Sequence, residues 1–260
     1  MIFIPIGLFA LGIVLFLVSR SQSKKAYDMQ SVETSSSADL ATAAADVARE
    51  IGAGSFHQQA ELKGKAECDT PLSSEHAELP CIWYRSTITR EYEERYTERD
   101  SEGRSQTRTR RGSEIVSTNE RRTNFMLRDA SGTISIDPEG ASMDGEKLLS
   151  RFEQGKSGAS VTIGGMSFNF GGLSGGRNTL GYRLEEWGIP VGKTLYILGE
   201  ATDKDGQLHL AKPETKGQRY LISVKSEEQL VKAAKTGTLV LRIIAAVLAA
   251  GAVVSLFFVL

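Results

Sequence analysis

CIWYRSTITREYEERY, residues 81–96, is the stretch on which the fold turns. β-Branched and aromatic side chains crowd it, and a run of that composition predicts a long strand. Next come the polar residues 101–111, with Gly103 and Gly112 nearby, which predict an exposed hairpin connection. Residues 114–128 return to strand, and Asp129-Ala130-Ser131-Gly132 reads as a turn before the strand TISID. Residues 146–154 predict a short helix, 155–181 are glycine-rich, and order resumes over 182–187. Residues 193–202 and 207–212 read as a hairpin across Asp203-Lys204-Asp205-Gly206. Toward the N-terminus, residues 59–68 alternate loosely until Thr70-Pro71 breaks them. Before them, Asp39 caps the Ala-rich LATAAADVAREIGAG, which Gly52 and Gly54 close, and the pattern predicts a helix over 39–54. Many short strands and few helices predict a β-dominated α+β domain over residues 55–226, built as a small curved sheet or partly closed barrel.

The two ends are of another kind. Residues 2–18, IFIPIGLFALGIVLFLV, carry no charge, and neither do residues 243–260, IIAAVLAAGAVVSLFFVL. Each is about the roughly 17–25 residues a helix needs to cross a bilayer, and in lipid the backbone amides must be paired within the segment. The first run lacks a basic residue before it, and VSRSQS is a poor cleavage site, so it predicts a retained anchor rather than a signal peptide. The second extends back to Gly237 if Arg242 snorkels, giving a span over 237–260. The chain ends inside that run. Residues 19–38, polar and serine-rich, read as a flexible tether. Arg20, Lys24 and Lys25 follow the first span, and Lys225, Lys232, Lys235 and Arg242 lead into the second. This bias predicts an integral membrane protein with its central domain on the cytoplasmic side of a bacterial-type inner membrane. On that side Cys68 and Cys81 are expected as free thiols.

The loudest charged feature is the arginine-rich hairpin. Glu91, Glu93, Glu94, Glu98, Asp100 and Glu102 balance its first half, whereas residues 104–111 hold no acid. That leaves Arg104, Arg108, Arg110 and Arg111 as candidates to face anionic lipid headgroups, against the alternative of a solvated ribbon with cross-strand ion pairs. Gly155-Lys156-Ser157 lacks the earlier glycine and the strand–helix setting of a phosphate loop, and GGLSGGR is no dinucleotide fingerprint. His57, Cys68, His76 and Cys81 have no zinc-site spacing, so neither metal nor cofactor is expected. Net charge is −1, which gives no reason to expect nucleic acid. No catalytic group stands out.

Several motifs then line up in order. They are Cys68-x-x-Pro71-Leu72, then Leu79-Pro80-Cys81-x-Trp83-Tyr84, then Phe125-x-Leu127-x-Asp129-x-x-Gly132. Tyr182-Arg183-x-Glu185-Glu186-x-Gly188-Ile189-Pro190-x-Gly192 and Leu195-Tyr196-Ile197-Leu198-Gly199-Glu200 complete the series. Together with the two-span layout, the series over residues 64–226 resembles the GIDE domain, the membrane-adjacent domain of the mitochondrial outer-membrane ubiquitin ligase and of bacterial and plant relatives. The resemblance implies a partner-recognising domain, with ubiquitin transfer carried by a separate RING. A RING holds two zinc ions on full tetrahedral sets of Cys and His, while this chain has two cysteines and three histidines in all. A bacterial-type relative without a RING is therefore expected. Arg183, Glu185 and Glu186 are candidates for either a structural ion pair or a ligand site. The expectation is a membrane-tethered module that binds or senses membrane lipids or an unknown membrane or cytoplasmic protein. The alternatives are a component of a ligase-like or other enzymatic system whose activity is supplied in trans, and a purely structural envelope protein.

Overall fold

A computed structural model describes residues 3–99, 103–154, 160–163, 166–169 and 177–257. Its soluble part is β-rich, as the composition of the central strands requires, and its centre is a closed barrel of five strands. These are β1 (His57–Glu67), β5 (Phe125–Arg128), β6 (Thr133–Ile136), β12 (Thr194–Thr202) and β13 (His209–Ala211), numbered in chain order with the strands introduced below. β1 pairs with β5, β5 with β6, β6 with β13, β13 with β12, and β12 back onto β1. The β6–β13 pair is parallel and the others are antiparallel. Ranked by position in the chain, the ring runs first-second-third-fifth-fourth, the connectivity of an OB-type Greek-key barrel. Leu62, Phe125, Leu127, Ile136, Leu195, Ile197 and Leu210 fill it, all buried. Phe125 and Leu127 point inward while Met126 between them is exposed, the alternation a half-buried strand demands.

Two long insertions in the ring build a second sheet. The first adds β2 (Leu72–Ser73), β3 (Pro80–Arg99) and β4 (Ser105–Arg122). The second adds β7 (Ser142–Asp144), β8 (Glu146–Gln154), the hairpin of β9 (Ser160–Ile163) and β10 (Met166–Asn169), and β11 (Arg177–Pro190). β3 lies between β4 and β11, and β8 pairs on the far side of β11. β14 (Leu221–Ser223) joins β12 to β7. Residues 146–154 are thus a strand, not the short helix their composition suggests. Pairing with β11 outweighs a helix propensity worth only tenths of a kcal/mol per residue. The connection at the β3–β4 turn is also shorter than expected, because the strands run on to Arg99 and resume at Ser105. Most of the glycine-rich stretch, including Gly155-Lys156-Ser157, lies outside the described residues.

Three helices complete the chain: α1 (Phe3–Gln30), α2 (Ser37–Ile51) and α3 (Glu227–Phe257). α2 covers the barrel with Leu40 and Ala44, and Ala43 and Val47 pack beside them, an i, i+3, i+4, i+7 stripe. Its N-cap is Ser36, whose hydroxyl accepts the Asp39 N–H at 3.1 Å, so Asp39 sits in the first turn instead of capping it.

α1 continues helically through residues 19–30, which the composition suggests are a flexible tether. The reason is packing. The buried positions on α1 are Gly12, Ser19, Ala26 and Met29, with half-buried Leu8, Leu15 and Gln22 spaced between them, and on α3 Val231, Ala234, Thr238, Ala245 and Ala252, with half-buried Leu241 and Leu248 between. This three-four alternation is the seam of an antiparallel coiled coil, and its small residues let the backbones approach. Ala26, Met29, Val231 and Ala234 then dock on Tyr196 and Leu198, the outward side chains of β12. That is why β12 is buried on both faces. Both helices are long and apolar enough to cross a membrane, and only 11% and 17% of their apolar windows is buried. A core helix of a soluble protein would be mostly buried instead.

Candidate functional site

The feature most set apart from the barrel is the β3–β4 arm. β3 has 20 residues, and at about 3.4 Å per residue it spans roughly 65 Å. β11 accompanies it only as far as the Arg177–Glu94 pair, and from there outward β3 and β4 pair with each other alone among the described residues. Register decides the chemistry. Glu94 faces Arg110 and Glu93 faces Arg111 across the two strands. Arg110 meets Glu94 at 2.6 Å, Arg111 meets Glu93 at 3.3 Å, and Arg108 reaches diagonally to Glu98 at 3.2 Å. Arg177 also bonds Glu94, at 3.1 Å. Hydrogen bonds from Arg110 and Arg177 hold the Glu94 carboxyl below the usual carboxylate range. The Arg108, Arg110 and Arg111 side chains stay 59%, 63% and 79% exposed. Arg104 stands just before β4 on the exposed surface. Arginines that in sequence have no acid among them therefore face the glutamates of the preceding strand. Tyrosines line the face that carries Glu94, Arg108 and Arg110. Arg110 lies over Tyr96 at 5.5 Å from its ring centre, and Arg90 and Arg177 lie over Tyr92 at 5.7 and 4.7 Å. The Tyr92 ring occupies the space a Cβ at Gly112 would need, 2.7 Å away.

Arg183, Glu185 and Glu186 do not form one cluster. Arg183 and Glu185 share a face of β11, where Arg183 bonds Glu91 at 2.8 Å and Lys147 bonds Glu185 at 2.7 Å. Glu186 points to the other face and is fully buried. Its carboxylate accepts the N–H groups of Glu75 at 2.7 Å, Ala77 at 2.8 Å and His76 at 3.2 Å, which fastens the loop between β2 and β3 to the sheet. Trp83 is buried, its indole N–H bonded to Glu120 at 2.9 Å, while Trp187 is exposed beneath Lys147.

A second polar cluster, which the sequence reading missed, joins the barrel to the helices. Glu61 of β1 is buried, with Tyr196 donating to it at 2.9 Å, Thr34 at 2.5 Å, and the Lys63 ammonium 2.9 Å away. Lys63 also reaches Glu227 at the start of α3, at 3.0 Å. Burial works against the Lys63 charge, but Glu61 and Glu227 together raise its pKa. Burial and the hydrogen bond to Glu61 keep the Tyr196 phenol protonated far above its usual range. These partners come from four separate segments, so no local motif announces them. The helix seam did leave a trace, in the seven-residue spacing of Gly12, Ser19 and Ala26 and of Thr238, Ala245 and Ala252.

Cys68 and Cys81 are free thiols. Among the described residues no group of His, Cys, Asp and Glu is placed to hold a metal ion.

A family model described as "GIDE: E3 Ubiquitin ligase" matches residues 93–257, which take in the outer part of β3, the strands β4 to β14 and α3. The motifs at residues 68–84 lie before the matched stretch. Neither curated proteins nor solved structures give a match. The matched stretch is more than half of the 260 residues and holds the motifs from Phe125 to Glu200, so the chain belongs to the GIDE family.

Proposed function

We propose that this chain is a membrane-tethered recognition module, held at the bilayer by α1 and α3 and meeting a protein partner through the β3–β4 arm. The arm carries the reading. It leaves the barrel as a two-stranded ribbon of exposed arginines paired with glutamates and flanked by Tyr92 and Tyr96. A surface of alternating sign suits a protein face better than a uniformly anionic bilayer, where each unpaired cation near the surface contributes about 1 kcal/mol. Arg104, Arg108, Arg110 and Arg111 are the contact residues in this reading, and a lipid surface is the competing target. Arg183, Glu185 and Glu186 stiffen the base of the arm. The lysines and arginines flanking the two apolar runs support the cytoplasmic side of a bacterial inner membrane as the domain's location.

A second reading is favoured by the family description: the module serves a ubiquitin-ligase-like system whose transfer chemistry another chain supplies.

A photo-crosslinking amino acid in place of Tyr96, in the full chain in its native membrane, tests the arm. A discrete protein adduct that the triple change Arg108→Glu, Arg110→Glu, Arg111→Glu abolishes supports the protein reading. Adducts to lipid alone would transfer the arm to the bilayer, and no adduct would overturn its role as a contact surface.

A further inference from the structure

One side of the α1–α3 seam is not closed. In its apolar stretch, Phe9, Gly12, Ile13, Phe16, Ala245, Ala246 and Ala249 line a trough of about 390 Å³. Next to it lies a second hollow of about 360 Å³ with more polar side chains, lined by Ser23, Ala26, Tyr27, Gln30, Lys235, Thr238 and Leu239. Arg242 borders both. It is the last charged residue before the uncharged run 243–260, and its guanidinium turns toward the domain to donate to the Ser23 hydroxyl at 3.2 Å. No carboxylate pairs with it among the described residues. Around it, residues 19–27 and 229–242 supply Arg20, Lys24, Lys25, Lys232 and Lys235 without one acid. Ser19, buried in the seam, stands ten residues from Phe9, at the far end of the trough. That is about 15 Å of helix, half of a hydrocarbon core about 30 Å thick.

We propose that this groove binds one anionic glycerophospholipid, an acyl chain lying along the trough and the phosphate held by Arg242 and Lys235, with Ser23 positioning the Arg242 guanidinium. Three features coincide. Small side chains open the trough where a chain would lie, a cation without a carboxylate partner sits where the hydrocarbon ends, and a second cation, Lys235, lines the hollow beside it. A hydrocarbon chain alone would not need Arg242, and a soluble anion would not need the trough. The site rests on the membrane anchoring proposed above but not on what the arm binds.

Native mass spectrometry of the full chain, released from nanodiscs of mixed phosphatidylglycerol and phosphatidylcholine, reads the site directly. The expected result is one retained phosphatidylglycerol per chain in preference to phosphatidylcholine. Arg242→Gln should cut the preference about 5-fold, the equivalent of the roughly 1 kcal/mol an interfacial charge contributes. Ala249→Phe, which fills the trough, should lose both lipids. Arg242 is exposed and among the described residues bonds only Ser23, so its variant keeps the fold, which circular dichroism checks. Equal retention of the two lipids by the wild type, or an unchanged preference in Arg242→Gln, overturns the site. A second copy of the chain bound in place of lipid, and lost in Ala249→Phe, overturns it as well. Glycerol phosphate displacing the lipid from detergent-solubilised protein would show a headgroup-only site and overturn the acyl assignment. Alkaline carbonate extraction separates the layers: a chain it releases fails the anchoring, whereas a retained chain without lipid preference fails only this site.

Discussion

The phenol of Tyr196 donates to the Glu61 carboxylate at 2.9 Å, on the outer wall of the barrel and beneath the helix pair. Tyr196 and Glu61 lie on neighbouring strands, and Lys63 carries the contact on to Glu227 of α3. The pair therefore couples the orientation of the apolar helices to the barrel wall. Replacing Glu61 by Ala would strand Tyr196, Thr34 and Lys63 around a buried gap and should cost about 3 kcal/mol. Glu61→Gln keeps an acceptor for Tyr196 and should cost clearly less. Thermal unfolding of the full chain in detergent compares the two. Equal losses would show that the cluster is not what fixes the helices.

Barrel closure depends on Gly64. A Cβ there would lie 2.5 Å from the carbonyl oxygen of Arg128 and 2.9 Å from its carbon, both backbone atoms that cannot swing aside. Gly64→Ala should destabilise by about 3 kcal/mol, the upper part of the overpacking range, as the β1–β5 seam opens. Gly237→Ala, with nothing within 4 Å, should be neutral or stabilising. Denaturant midpoints of the two variants against wild type give the comparison, and two similar shifts would mean the seam tolerates a side chain.

Asp129 ties the barrel turn to α2, accepting the Ser37 N–H at 2.7 Å while bonding Ser131 and Gly132 within its own turn. Burial opposes its charge, but the hydrogen bonds from Ser131 and Ser37 outweigh this and hold the carboxyl well below the usual range. A depressed folded pKa stabilises fully above the unfolded value of about 3.9 and is lost as acidification proceeds below it. Asp129→Asn should cost about 1 kcal/mol at neutral pH, as the loss of a helix cap does. The melting gap between wild type and variant should hold from pH 7 to about pH 4 and narrow only below it. A gap unchanged with pH would remove the charge from this account.

Cys81 is fully buried, and burial, with the Glu186 charge nearby, pushes its thiol up to about 11. Cys68 is partly exposed. A membrane-impermeant maleimide at neutral pH should therefore modify Cys68 and spare Cys81 until the protein unfolds. The same reagent reads sidedness. Labelling of Cys68 only after lysis would support a cytoplasmic domain, and labelling on intact cells would put the domain on the opposite side. Modification of Cys81 in the folded chain would contradict the packing around it.

Much of this architecture was legible in the residues themselves. Uncharged runs at both ends, the β-branched strand at 81–96, the turn at Asp129–Gly132 and the hairpin across Asp203–Gly206 are local patterns, and local patterns are written by neighbours in the chain. Where a choice was close, the sequence misled. Residues 146–154 became a strand because β11 was there to pair with, and residues 19–30 became a helix because α3 offered a seam. The ring closure, the glutamates opposite Arg108, Arg110 and Arg111, the division of Glu186 from Arg183 and Glu185, and the Glu61 cluster were decided by the tertiary structure alone. Each depends on strand register or on partners dozens of residues apart. A one-residue change of register would turn every such side chain to the other face, and no local composition specifies it.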